Sequence, residues 1–195
     1  MMDAKKITIL GALVVVLLVL AFAFFWSGGE EKIRHSLDES LQEGDALSEE
    51  TLQTRTITLY FLSKDDNYLH SEKREIVEHP SLVRQAIQSV EELLNGSQQG
   101  LLSPLPEGTE LREFFITKRG VAYVDFSGEI RDEHLSGTSA EMGTVFSVVN
   151  TLTYNFKSIK KVFILIDGSE KETLAGHIDL SRPLVPRYDL VSNSP

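Results

Sequence analysis

The 195-residue chain contains no cysteine. It therefore forms no disulfide, offers no thiolate to a metal or to nucleophilic catalysis, and has no mature N-terminal cysteine to carry a lipid. Basic residues are also scarce: Lys and Arg number 19 against 29 Asp and Glu, a formal net charge of −10. The deficit is uneven. Residues 27–54 hold eight acids against Lys32 and Arg34, and residues 55–195 hold 20 acids against 15 bases. A chain without a basic footprint is not expected to bind nucleic acid or to adhere to anionic lipid headgroups. No internal repeat is apparent.

What is abundant is apolar residue in one block. Residues 7–26, "ITILGALVVVLLVLAFAFFW", carry no charge. Roughly 20 helical residues rise about 30 Å, the thickness of a hydrocarbon core. Lys5 and Lys6 precede the block and Glu30 and Glu31 follow it. This asymmetry predicts a single transmembrane helix with a cytoplasmic tail at residues 1–6 and the remainder in the periplasm or extracytoplasmic space. Ala21-Phe22-Ala23 resembles a signal-peptide cleavage site, so a cleaved leader is the alternative. The apolar run, however, is longer than a usual leader core and continues through Phe24-Phe25-Trp26. Both routes take the following domain out of the cytoplasm.

Residues 27–54 read as an acidic, self-repelling stalk. Ile33, Leu37 and Leu41 recur every four residues and would also suit a short partner-binding helix. The folded part is expected over residues 55–190, with a tail at 191–195. "RTITLYFLS" (55–63) is β-branched and aromatic and predicts a strand, Lys64-Asp65-Asp66-Asn67 a turn, and "YLHSEKREIVE" (68–78) a weaker strand. Pro80 suits the first position of a helix. Leu82, Val83, Ala86, Ile87, Val90, Leu93 and Leu94 give that helix one apolar face, and Asn95-Gly96 ends it. "LREFFITKRGVAYVDFSG" (111–128) predicts a hairpin turning at Lys118-Arg119-Gly120, and "EIRDEHLSG" (129–137) a polar loop. Thr138-Ser-Ala-Glu141 is a capping-box pattern before a second helix with Met142, Val145, Phe146, Val149 and Leu152 at helical spacing. "VFILI" (162–166) is continuously apolar and predicts a central strand. The order ββαββαβ implies an α+β fold: one mixed β-sheet with two helices packed on one face.

Several landmarks now stand in order: "GLLSPLPEGTEL" (100–111), "GVAYVDFSGEI" (120–130), "SVVNTLT" (147–153), "VFILIDG" (162–168) and "TLAGHIDLSRPL" (173–184). Together, over residues 56–184, they resemble the GerMN domain, named after a bacterial sporulation and germination protein and found in lipoproteins and anchored proteins of the cell envelope. The resemblance implies an α/β domain similar to ring-building modules of envelope machines. It also implies a non-catalytic binding or assembly role, with association to cell wall (peptidoglycan) or envelope proteins, and oligomers among the expected states. The departures from the family pattern fall in loops, at residues 96–100 and 155–158.

The chemistry-bearing stretch is "ILIDGSEKETLAGHIDLS" (164–181). One reading is a hydrolase built on His177, Ser181 and Asp179, His177 and Asp179 projecting to one side of a strand. Ser181 lacks the G-x-S-x-G context of a nucleophile elbow. The other reading assigns local tasks: Asp167-Gly168 reverses the chain, Gly176 permits close backbone approach, and His177 and Asp179 lock the C-terminal return. On that reading Asp167, Gly168, Gly176, His177 and Asp179 are the candidate binding residues. Asp132-Glu133-His134, with Glu129 nearby, is a weak metal pattern, since adjacent loop residues seldom converge. Asp125, near the end of the strand "VAYVDF", is expected to hold the turn that follows it. Arg74, Lys118, Arg119, Lys160 and Lys161 could form an anion-binding patch. No metal or cofactor is expected.

Overall fold

The structure is a computed structural model that describes residues 53–134 and 137–192. The expected anchor, the expected stalk up to residue 52 and residues 193–195 of the expected tail lie outside the described residues; Thr54 already begins the first strand, and Val191 and Ser192 pair with Leu69. Among those described, no helix is long and apolar enough to cross a membrane.

Strands β1 (Thr54–Leu62) and β2 (Leu69–Val77) form an antiparallel pair. The turn between them places Asn67 at φ 59°, a left-handed conformation that Asn tolerates. β2 is polar because two charges sit on its buried face. Arg74 pairs with Glu72 on its own strand and with Glu92 (2.8 Å), and also donates to the carbonyl of Gly96. Glu72 in turn accepts from the Ser97 hydroxyl (2.6 Å) and the Gln98 amide. This network ties β2 to the C-terminal end of helix α1 (Leu82–Leu94), where Arg74 also donates to the Glu92 carbonyl (3.3 Å). Arg74 is thus withdrawn from any surface patch, contrary to the expectation above.

Leu82, not Pro80, takes the first position of α1, and Ser81 caps it. Its hydroxyl accepts from the Arg84 amide, and Pro80 precedes the cap. Gly96 at φ 80° closes the helix as expected. The buried stripe centres on Ala86, Val90 and Leu93, while Leu82 faces solvent.

The second sheet contains β3 (Leu111–Ile116), β4 (Val121–Phe126) and β5 (Lys161–Ile166) in the order β3-β4-β5, antiparallel then parallel. The helical link from β4 to β5 runs through α2 (Glu129–Asp132), where a polar loop was expected, and α3 (Thr138–Asn155). β4, not β5, is the middle strand. After Lys161, β5 is apolar because Val162, Ile164 and Ile166 face the core and Phe163 is buried beside Tyr123. Its outer edge is taken by Leu184, which exchanges two backbone hydrogen bonds with Val162.

The single mixed sheet is therefore corrected to two sheets, and the reason lies in α3. The free edge of β1 is met by side chains of this helix and not by another strand. Asn155 accepts from the Thr58 amide (2.9 Å) and donates to the Thr58 carbonyl (2.6 Å), and Thr151 accepts from the Tyr60 amide. The Asn155 carboxamide thus presents the same donor–acceptor pair that a neighbouring strand would. The expected helix placement changes too. Helix α1 packs on β1, β2 and β3, and α3 packs on β1, β5 and α1, so both helices serve both sheets. Twelve of the 18 residues of α3 are buried. Gly143 lets its N-terminal half approach β1, since a Cβ there would stand 3.0 Å from the Leu62 side chain.

Candidate functional site

The site is built by the C-terminal return of the chain over β5. Ile166 and Ser169 exchange backbone hydrogen bonds around Asp167 (φ 51°) and Gly168 (φ 69°), a two-residue turn with both central φ positive. Asp125 on β4 accepts from the Gly168 amide at 2.8 Å. Arg112 bridges Asp125 and Asp167 at 3.3 and 3.4 Å. Asp125 therefore holds a turn, but the one after the neighbouring strand β5 and not the one expected after its own.

The next segment is organised by a residue that the sequence reading assigned elsewhere. Glu141 is fully buried. Its Oε1 accepts from the amides of Leu174 (3.1 Å), Ala175 (2.9 Å) and Ile178 (3.2 Å), and its Oε2 from the amide of His177 (2.8 Å). His177 Nδ1 completes the set at 2.9 Å from Oε2. Burial alone would push this carboxyl upward. The amides of Ala175, Ile178 and His177 and the His177 ring outweigh burial and hold it below the ordinary glutamate value. No capping box forms: Gly137 occupies the cap position without a side-chain bond, and Glu141 reaches across to residues 174–178. Gly176 serves through its φ of 97°, not through close approach, because a Cβ there would meet nothing within 4 Å.

Since a carboxylate accepts, Nδ1 of His177 carries the proton in the neutral ring. That leaves Nε2 as an outward lone pair on a side chain 42% exposed. The ring borders an open depression of about 570 Å³ whose lining includes Lys161, Ile178, Asp179, Arg182, Leu184 and Val185. Asp179 accepts from the Ser181 hydroxyl (2.5 Å) and amide (3.0 Å) and from Arg182 (2.6 Å). The Ser181 hydroxyl, followed by Arg182, lowers its carboxyl to about 2.

The five candidate residues thus divide between two places. Gly176, His177 and Asp179 belong to the segment around Glu141 and the depression. Asp167 and Gly168 stand at the opposite end of β5, roughly 17 Å away for six extended residues. The hydrolase set is not assembled, since Ser181 donates to Asp179 while His177 is turned to Glu141. The loop carboxylates and imidazole diverge as well: Asp132 engages Arg131 and His134 engages Thr144. Among the described residues no three His, Asp or Glu groups converge as metal ligands. Arg182 had no expected role, Glu141 was assigned to a helix cap, and Lys161 was expected in an anion-binding patch but not beside His177. The only local trace of Glu141 was an acid in the first turn of the helix, which also fits a cap.

The comparisons extend this description. No curated protein matches the chain significantly. Among solved structures, the tandem GerMN domains of the sporulation protein GerM from Bacillus subtilis are 28% identical, with a TM-score of 0.56. The match covers 70% of this chain and 48% of that one, so the chain spans about half of the tandem. The first GerMN domain of the same protein is 27% identical at a TM-score of 0.49, over 71% of this chain and 98% of that one. The family model described as "Sporulation and spore germination" (Germane) matches residues 58–172, which run from β1 through the turn after β5. The chain belongs to this sporulation and spore germination family, and its folded part is a GerMN-like domain.

Proposed function

We propose that this protein is a non-catalytic binding or assembly module of the cell envelope. Residues 7–26 hold it in the cytoplasmic membrane, residues 27–54 form its acidic stalk, and the domain engages cell wall or an envelope protein complex outside. The observation that carries the reading is the Glu141-organised return. A buried carboxylate fixes five donors of residues 174–178, and this holds His177 at the rim of an open depression with mixed apolar and charged walls. Concave, preorganised surfaces with a few fixed polar groups are where ligands bind. Family membership supports the same reading.

The test is retention of the full chain, purified in detergent, on isolated peptidoglycan and on immobilised envelope extract. The expected result is retention that weakens when His177 and Lys161 are replaced by alanine. Failure of both matrices to retain the protein would sink the reading. Exclusive formation of a defined oligomer, with no retention on wall, would favour assembly over polymer binding.

A further inference from the structure

The hairpin turn at residues 118–120 and the loop entering β5 are fastened together. The amides of Lys160 and Lys161 both donate to the Gly120 carbonyl, at 2.7 and 3.2 Å. Gly120 has φ 78°, and a Cβ there would stand 2.6 Å from the Ser158 carbonyl oxygen, so the turn lies directly on the loop. Lys118, Arg119, Lys157, Lys160 and Lys161 consequently share one end of the three-stranded sheet, all exposed. Neither loop contains an acid. Arg74, Arg112, Arg131, Arg182 and Arg187 are each paired with a carboxylate, whereas these five cations form no ion pair among the described residues. In a chain of net charge −10, half of the described cations without a carboxylate partner are gathered in this one place, the others being Arg55, Lys64, Lys73, Arg84 and Lys171. Lys161 is also part of the wall of the depression beside His177. Lys161 thus belongs both to this basic end and to the concavity, whose lining also holds Arg182 and Asp179.

We propose that this end of the domain binds a linear, phosphate-bearing polyanion, laid from Lys118 and Arg119 across Lys157 and Lys160 into the depression at Lys161. The proposal rests on the depression being the ligand surface and assigns the charge of its ligand. Four of the five cations are lysines, which bind phosphate as point charges and need no bidentate geometry, so successive phosphates along a flexible chain can each be met singly. A planar membrane would meet only the turn tip, where Lys118 and Arg119 offer no apolar side chain to insert. It could not enter the concavity. Net charge alone argued against anionic partners, but the distribution of charge points the other way at this end.

The experiment titrates the full chain in detergent with inorganic polyphosphate and, separately, with vesicles of equal parts phosphatidylglycerol and phosphatidylcholine. Saturable binding to polyphosphate is expected. If roughly three phosphates are neutralised, affinity falls about 20-fold over a fourfold rise in salt. The double variant Lys160→Glu/Lys161→Glu should lose binding while unfolding at the wild-type temperature, and Lys73→Ala, on β2, should leave it unchanged. Binding that persists in the double variant, or that is stronger to vesicles than to polyphosphate, overturns the proposal. Wall stripped of phosphate polymers separates the two readings. Retention there without polyphosphate binding leaves the wall-binding reading standing and removes this one, while loss of both removes both.

Discussion

Glu141 is a carboxylate shut away from water and held by four backbone amides and one imidazole. Replacing it by alanine leaves those donors without their acceptor, and each buried, unmet donor costs about 1–3 kcal/mol. Glu141→Ala should therefore lose about 3 kcal/mol or more of stability by chemical denaturation, with hydrogen exchange rising first at residues 174–178. The pH dependence has a definite sign. The folded carboxyl lies below its ordinary value of 4.5. Its contribution is therefore present above that value and lost as pH falls through the folded pKa. Glu141→Gln should flatten the acid limb of the stability–pH curve, leaving the part due to other depressed carboxyls such as Glu72 and Asp179. His177 gives a third check at this scale. Its neutral ring should carry the proton on Nδ1, the minor tautomer of free histidine, and nitrogen–proton correlation NMR would read this directly. A neutral ring protonated at Nε2 would contradict the Glu141 contact.

At the scale of elements, α3 both fills the core and finishes a sheet. Its Asn155 and Thr151 supply the partners that the free edge of β1 lacks. Asn155→Ala should cost about 1–3 kcal/mol and speed amide exchange at Thr58, because a strand edge loses both a donor and an acceptor. Unchanged exchange at Thr58 would show that water replaces the side chain without penalty. This edge also explains why the sheets were not legible separately in the sequence. The strands themselves were readable from β-branched runs and from local turn chemistry at Lys118-Arg119-Gly120, Asn95-Gly96 and Asp167-Gly168. The partner of Thr58, by contrast, is a side chain 97 residues away, and an asparagine at the end of a helix carries no mark of such a task. The Thr138-x-x-Glu141 spacing misled for a related reason. A local cap and a bond to the chain's own C-terminal return use the same acid, and only the fold decides between them.

For the whole molecule, the candidate site was legible in part. Gly176, His177 and Asp179 come together at the return, whereas Asp167 and Gly168 close a turn at the far end of β5. Lys161 joins His177 because β5 begins where the return ends, a relation set by the Val162–Leu184 pairing and not by proximity in sequence. Composition was informative about sum and silent about arrangement. A net charge of −10 coexists with an end of the domain that bears five cations without an ion pair among the described residues.

The most direct test of the central claim, that the Glu141-organised return is the ligand surface, is hydrogen–deuterium exchange of the full chain with and without soluble wall fragments. Protection confined to residues 157–161 and 174–185 is predicted. Protection absent there, or found only along the outer groove of α1 at Val77, Arg84 and Ile87, would contradict it.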